Sequence, residues 1–162
     1  MDRSFCFVLL FVVTLTLAAS TVVLAQSDPA ALLQKSYETI DRGDAASALA
    51  LYADDATIDG AGLCAAAPCV GKAAIQKELE RRVGDKVHYT FLKTYVSGNL
   101  VTMRAEARND TVKKAGVERI ITWGIYEMKG DKIAYVHRGL SERTDPQTAR
   151  FVEWQRAQPP AR

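Results

Sequence analysis

Few side chains in this sequence could do chemistry by virtue of spacing alone, and the cysteines are the most telling. Cys64 and Cys69 bracket an Ala-Ala-Ala-Pro segment, while Cys6 stands far upstream in an apolar run. A redox motif needs two intervening residues rather than four. A zinc site needs a ligand spacing that these cysteines and the two histidines, His88 and His137, do not show. What remains is a local disulfide, provided that the compartment is oxidising. Closing so short a loop restrains the unfolded chain by roughly 2 kcal/mol in the entropy model. No metal site and no cofactor are expected.

The first 25 residues supply the compartment. Arg3 and the amino terminus are positive, Phe5 to Ala19 is an apolar run, and Val23-Leu24-Ala25 is a small-residue cleavage site before Gln26. This is the layout of a secretory signal peptide cut after Ala25, which makes the protein secreted or periplasmic and removes Cys6. The competing reading is an uncleaved membrane anchor, since Phe5 to Ala25 is almost long enough to span a bilayer. After cleavage no membrane contact is expected. The formal net charge of +2 is mild, and Lys and Arg are dispersed, so the composition argues against a nucleic-acid partner. Asn109-Asp110-Thr111 is a glycosylation sequon, meaningful only in a eukaryotic secretory pathway.

The elements that position any site follow from caps and periodicity. Asp28 followed by Pro29 is an N-cap and first-turn pair, and Leu33, Tyr37 and Ile40 fall on one helical face. Gly43 stops that helix and Asp44 caps a short second one, in which Leu49 and Tyr52 face inward. Ala56 to Gly60 reads as a short strand, and Ala61 to Val70 as a loop. A third helix runs from about Lys72 to Val83, with Ile75 and Leu79 inside and Lys77, Glu78, Glu80 and Arg81 outside. The period then switches to two. Val87 to Val96, Leu100 to Asn109, Val117 to Lys129 and Lys132 to Ser141 read as strands, with turns at Ser97-Gly98-Asn99, Lys113 to Gly116 and Gly130-Asp131. Val101, Met103, Ala105 and Ala107 share one dry face. Asp145 and Pro146 begin a C-terminal helix carrying Phe151, Val152 and Trp154, closed by Pro159-Pro160.

Three runs, Gly43-Asp44, Tyr52-Ala53-Asp54-Asp55-Ala56 and Gly71-Lys72-Ala73-Ala74-Ile75, occur in an order and spacing that resembles the nuclear transport factor 2-like, or SnoaL-like, family, the ketosteroid isomerase-type cone. The resemblance implies an α+β fold: three N-terminal helices packed on a strongly curved antiparallel sheet, a cone with one pocket, plus a C-terminal helix. The divisions expected are a signal peptide over 1–25, the SnoaL-like domain over 26–145, and a C-terminal helix and tail over 146–162.

The family's members use the pocket differently, so the resemblance speaks to scaffold more than to activity. Lining up Tyr-Ala-Asp-Asp-Ala-Thr puts the catalytic base of ketosteroid isomerase at Gly60, with Asp59 one residue early and so on the opposite face. Its oxyanion acid falls near Gly124, and its principal catalytic tyrosine near Ser36, beside Tyr37. Steroid-type isomerisation is therefore not expected. The same match places Glu118, Ile120, Thr122, Gly124 and Tyr126, then Ala134, Val136, Arg138 and Leu140, on the concave face. The ligand-binding set so implied is Tyr52, Glu118, Thr122, Tyr126, Val136 and Arg138. Arg138 either anchors a ligand oxygen, pairs with Glu118 or Asp59 as a buried ion pair, or lies at the rim. Three functions are carried forward. The first is binding of a small, largely apolar ligand. An acid/base isomerase, lyase or hydrolase would use Asp59, Tyr52 and Arg138. An interaction module would form a homodimer through the Trp123 face of the sheet, unless the C-terminal helix covers that face.

Overall fold

The computed structural model describes residues 28–158. The expected signal segment and Pro159-Pro160 lie outside the described residues. Helix α1 (Pro29–Asp41) starts where Asp28 accepts from the Ala30 amide, and Asp44 caps α2 (Ala45–Ala50) through Ser47. Strand β1 (Tyr52–Asp59) is longer than its sequence suggested, and a single 3-10 turn (Gly62–Cys64) leads to the two-residue β2 (Cys69–Val70). The remaining elements are α3 (Gly71–Gly84), β3 (His88–Ser97), β4 (Leu100–Arg108), α4 (Asp110–Lys114), β5 (Ile120–Lys129), β6 (Lys132–Ser141) and α5 (Pro146–Arg156).

The six strands form one sheet in the order β2-β1-β6-β5-β4-β3. The β1–β6 pair is parallel, Ile58 beside Val136 and Asp59 beside His137, and the other pairs are antiparallel. The three N-terminal helices lie in the concavity, where Leu33, Tyr37, Ile40, Ile75 and Leu79 meet Ile58, Val101, Met103 and Val136 in one core. All four residues of the β4 dry face are buried, as the alternation required. Cys64 and Cys69 are joined by a disulfide, their Cα atoms 5.2 Å apart, which ties the loop down beside the edge of β1.

Several local expectations change. Lys113 and Lys114, expected in a turn with Ala115 and Gly116, end a short helix, α4, which Asn109 caps through the Val112 amide. Strand β5 begins only at Ile120, so Glu118 stands before it, exposed, with its amide donating to Gln147. In β6 the register slips twice against β5, and Gly139 takes a left-handed φ of 89°. Each extra residue reverses the alternation beyond it, so Leu140 emerges on the outer face, 45% exposed. The C-terminal helix does not cover Trp123. Phe151 and Trp154 instead pack on Val112, Val117 and Ile120 in a second small core, at the end of the cone.

Candidate ligand site at the end of the cone

The third helix brings the decisive side chains. Ile75, Glu78, Leu79 and Arg82 are all buried, because they occupy i, i+3, i+4 and i+7 of one stripe. Glu78, expected on the outer face, is completely buried at 0% exposure. Its carboxylate accepts from Arg81 Nε at 2.8 Å and Nη2 at 2.9 Å, from Arg138 Nη2 at 2.7 Å, and from the Leu63 amide at 3.0 Å. Burial alone would raise the pKa of Glu78. The bonds from Arg81 and Arg138 outweigh it and hold the carboxyl down at about 2. Arg138 is thus a buried ion-pair member, 6% exposed, but its partner is Glu78 rather than Glu118 or Asp59.

Arg82 was not singled out by the sequence. It is 2% exposed and lies over two aromatic faces, 4.8 Å from the Tyr37 centroid and 5.5 Å from that of Tyr89. Beneath it, the hydroxyls of Tyr37 and Tyr126 are hydrogen-bonded to each other. Burial, opposed by Arg82, pushes the Tyr37 phenol up to about 12, and burial, with Tyr37 beside it, raises Tyr126 well above the ordinary phenol value. Both therefore remain protonated at neutral pH. The signal for Glu78 and Arg82 was present in the sequence: they share the inner stripe with Ile75 and Leu79.

These groups border a cavity of about 430 Å³, within the usual range for small-molecule sites. Its walls are Val87, Tyr89, Ala107, Ile120 and Phe151, and its polar lining includes Arg82, Arg138, Thr122, Asn109 and Gln155. Of the expected ligand-binding residues, Thr122 and Arg138 reach this cavity. Tyr52, Tyr126 and Val136 are buried in the main core and do not line it, and Glu118 lies outside.

Asp59 does not approach the cavity. Parallel pairing sets it beside His137 on the outer face, where its Oδ1 lies 2.5 Å from His137 Nδ1 and its Oδ2 accepts from Tyr135 at 2.8 Å. No base can be supplied at Gly60 either. A Cβ there would sit 2.2 Å from the Arg138 carbonyl oxygen. At Gly124 the ring of Tyr126 fills the space that a side chain would need, with its hydroxyl 2.7 Å from where a Cβ would be. Among the described residues lining the cavity, the carboxylate is Asp85. Its Oδ1 accepts from the Thr111 amide and hydroxyl, and its Oδ2 lies 3.7 Å from Arg81 Nη1.

A curved sheet wrapped around three helices, with a pocket at one end, is the architecture of the resemblance noted above. Residues 33–136 match the family model of the SnoaL-like domain, and the chain belongs to that family. No curated protein matches its sequence. Similar solved structures include an NTF2-like protein of unknown function from Cytophaga hutchinsonii, 14% identical with a TM-score of 0.56, covering 72% of this chain and 92% of that one. A putative polyketide cyclase from Sinorhizobium meliloti is 15% identical, with a TM-score of 0.57 over 67% of this chain and 94% of its own. The epoxide hydrolase/cyclase-like enzyme SalBIII, described in pyran ring formation in the polyether salinomycin, is also 15% identical. Its TM-score is 0.59, with coverage of 72% and 92%. At such identities the likeness is one of fold.

Proposed function

We propose that this SnoaL-like domain binds a small organic molecule in its end cavity, with apolar walls around the ligand body and Arg138 and Thr122 as polar contacts. The observation that carries this reading is a cavity of about 430 Å³ onto which cationic donors and apolar side chains converge. Acid/base turnover has less support. Asp59 faces away, Glu78 is held by two arginines, and Asp85 is engaged by Thr111 and Arg81. The donors of an electrophilic site are present, and among the described residues lining the cavity the carboxylate is already engaged.

We place the protein outside the cytoplasm, on the signal-like Met1 to Ala25 segment and on a disulfide that suits an oxidising compartment. A sheet-mediated homodimer is the second reading. It is favoured by Tyr95 and Leu140, 46% and 45% exposed, on the face where Tyr95 stacks on Trp123 at 6.5 Å. A thermal-shift screen against apolar acids, ketones and phenols tests the ligand reading. A ligand at 100 times its dissociation constant stabilises the fold by about 2.7 kcal/mol. Ala107→Leu, which projects three more carbons into the cavity, should weaken any response while the protein stays folded. Silence across the panel, with a concentration-dependent dimer in sedimentation, would favour the sheet interface instead.

A further inference from the structure

Arg82 presents a problem that the protein's own groups do not solve. Its Nε and Nη2 are buried without a hydrogen-bond partner among the described residues, and so is Nε of Arg138. A guanidinium cannot shed its proton to escape this situation. Buried N–H groups of a charged side chain are costly to leave unpaired, and the aromatic faces of Tyr37 and Tyr89 offset only part of that cost. Arg138 lines the same cavity and acts on Arg82 as a like charge.

The local charge is unbalanced in the same direction. Arg81, Arg82 and Arg138 line the cavity against Asp85, with Glu78 behind them. Three guanidiniums against two carboxylates leave one positive charge over. Glu78 is shared by Arg81 and Arg138, which leaves Arg82 as the cation without an acidic partner. The rest of the lining carries no charge: Val87, Ala107, Ile120 and Phe151 give it an apolar surface, and Asn109, Thr122 and Gln155 add neutral polar groups.

We infer that the ligand is a monocarboxylic acid, its carboxylate held between Arg82 and Arg138 and its apolar body against Val87, Ala107, Ile120 and Phe151. A carboxylate supplies the missing charge and accepts from the fork of a guanidinium, whereas a neutral ketone or phenol would leave Arg82 uncompensated. This rests on the ligand-binding reading above, and adds the chemical class and a residue, Arg82, that the resemblance did not point to.

The test uses protein expressed from the full chain and probes matched in size. Octanoate and phenylacetate are compared with octanamide and phenylacetamide by titration calorimetry at pH 7, with sodium phosphate and sodium chloride as inorganic controls. The acids should bind at least roughly tenfold more tightly than their amides, as a charge-assisted contact requires. Arg82→Met should lose that discrimination with an unchanged circular dichroism spectrum. Equal binding of acids and amides overturns the carboxylate anchor but leaves the ligand pocket standing. Failure of every organic probe overturns the pocket reading as well. A response to phosphate or chloride as strong as that to the acids overturns the organic acid in favour of an inorganic anion. Should Arg82→Met fail to fold, the acid–amide comparison on the unmodified protein decides alone.

Discussion

Glu78→Gln is the perturbation on which the electrostatic account of this fold depends most directly. The carboxylate is fully buried and receives Arg81 and Arg138 together, with the Leu63 amide on the same group. An amide keeps the volume and loses the charge, so two guanidiniums lose their shared counter-ion. Breaking a buried pair from one side costs about 3–5 kcal/mol. The acid equilibrium gives a second route to the size of the effect: lowering the carboxyl from 4.5 to about 2 corresponds to about 3 kcal/mol. At this chain length these figures correspond to a fall in Tm of about 6–20 °C. The sign with pH follows, because the folded pKa is the lower one. The contribution of Glu78 is complete above pH 4.5 and is lost as pH falls towards 2. Urea denaturation of the parent and Glu78→Gln proteins should therefore show a gap at pH 7 that narrows between pH 4.5 and pH 2. The double variant Glu78→Gln, Arg138→Met should recover part of the loss at pH 7. A single variant within about 1 kcal/mol of the parent at pH 7, or a gap independent of pH, would refute the reasoning.

Three further outcomes are expected. Thiol counting on unreduced protein should find Cys64 and Cys69 unreactive, and replacing both by serine should cost about 2 kcal/mol, read from denaturation midpoints at constant slope. Gly124→Ala should destabilise the protein by about 1–3 kcal/mol in the same assay, because the buried Tyr126 ring cannot give way without disturbing its bond to Tyr37.

Much of the scaffold was written locally. Asp28 with Pro29, and Asp145 with Pro146, start helices whatever surrounds them, since each satisfies its own orphan amides through the adjacent side chain. The β4 alternation and the spacing of Cys64 and Cys69 are equally local, and both stand in the folded chain. The runs from Gly43 to Ile75 carried the family because they encode turns and starts of elements in a fixed order.

The site was not local in this sense. Arg138 was placed on the concave face by alternation, but Leu140 leaves that face because the register slips between His137 and Leu140, and a slip of one residue reverses every side chain beyond it. Asp59 faces outwards as its one-residue offset from Gly60 implied, but only the pairing of β1 with β6, far apart in the chain, brings His137 and Tyr135 to it. Glu78 and Arg82 lay on a legible stripe, yet a charged residue at such a position reads as surface until a buried partner is known. That partner, Arg138, arrives from a strand 60 residues further along the chain. Sequence alone determined the elements, their caps and the covalent loop, because those depend on neighbours within a few residues. Tertiary structure decided which charges meet in the cavity, because burying a charge is tolerated only where distant strands and helices bring its partner within hydrogen-bond reach.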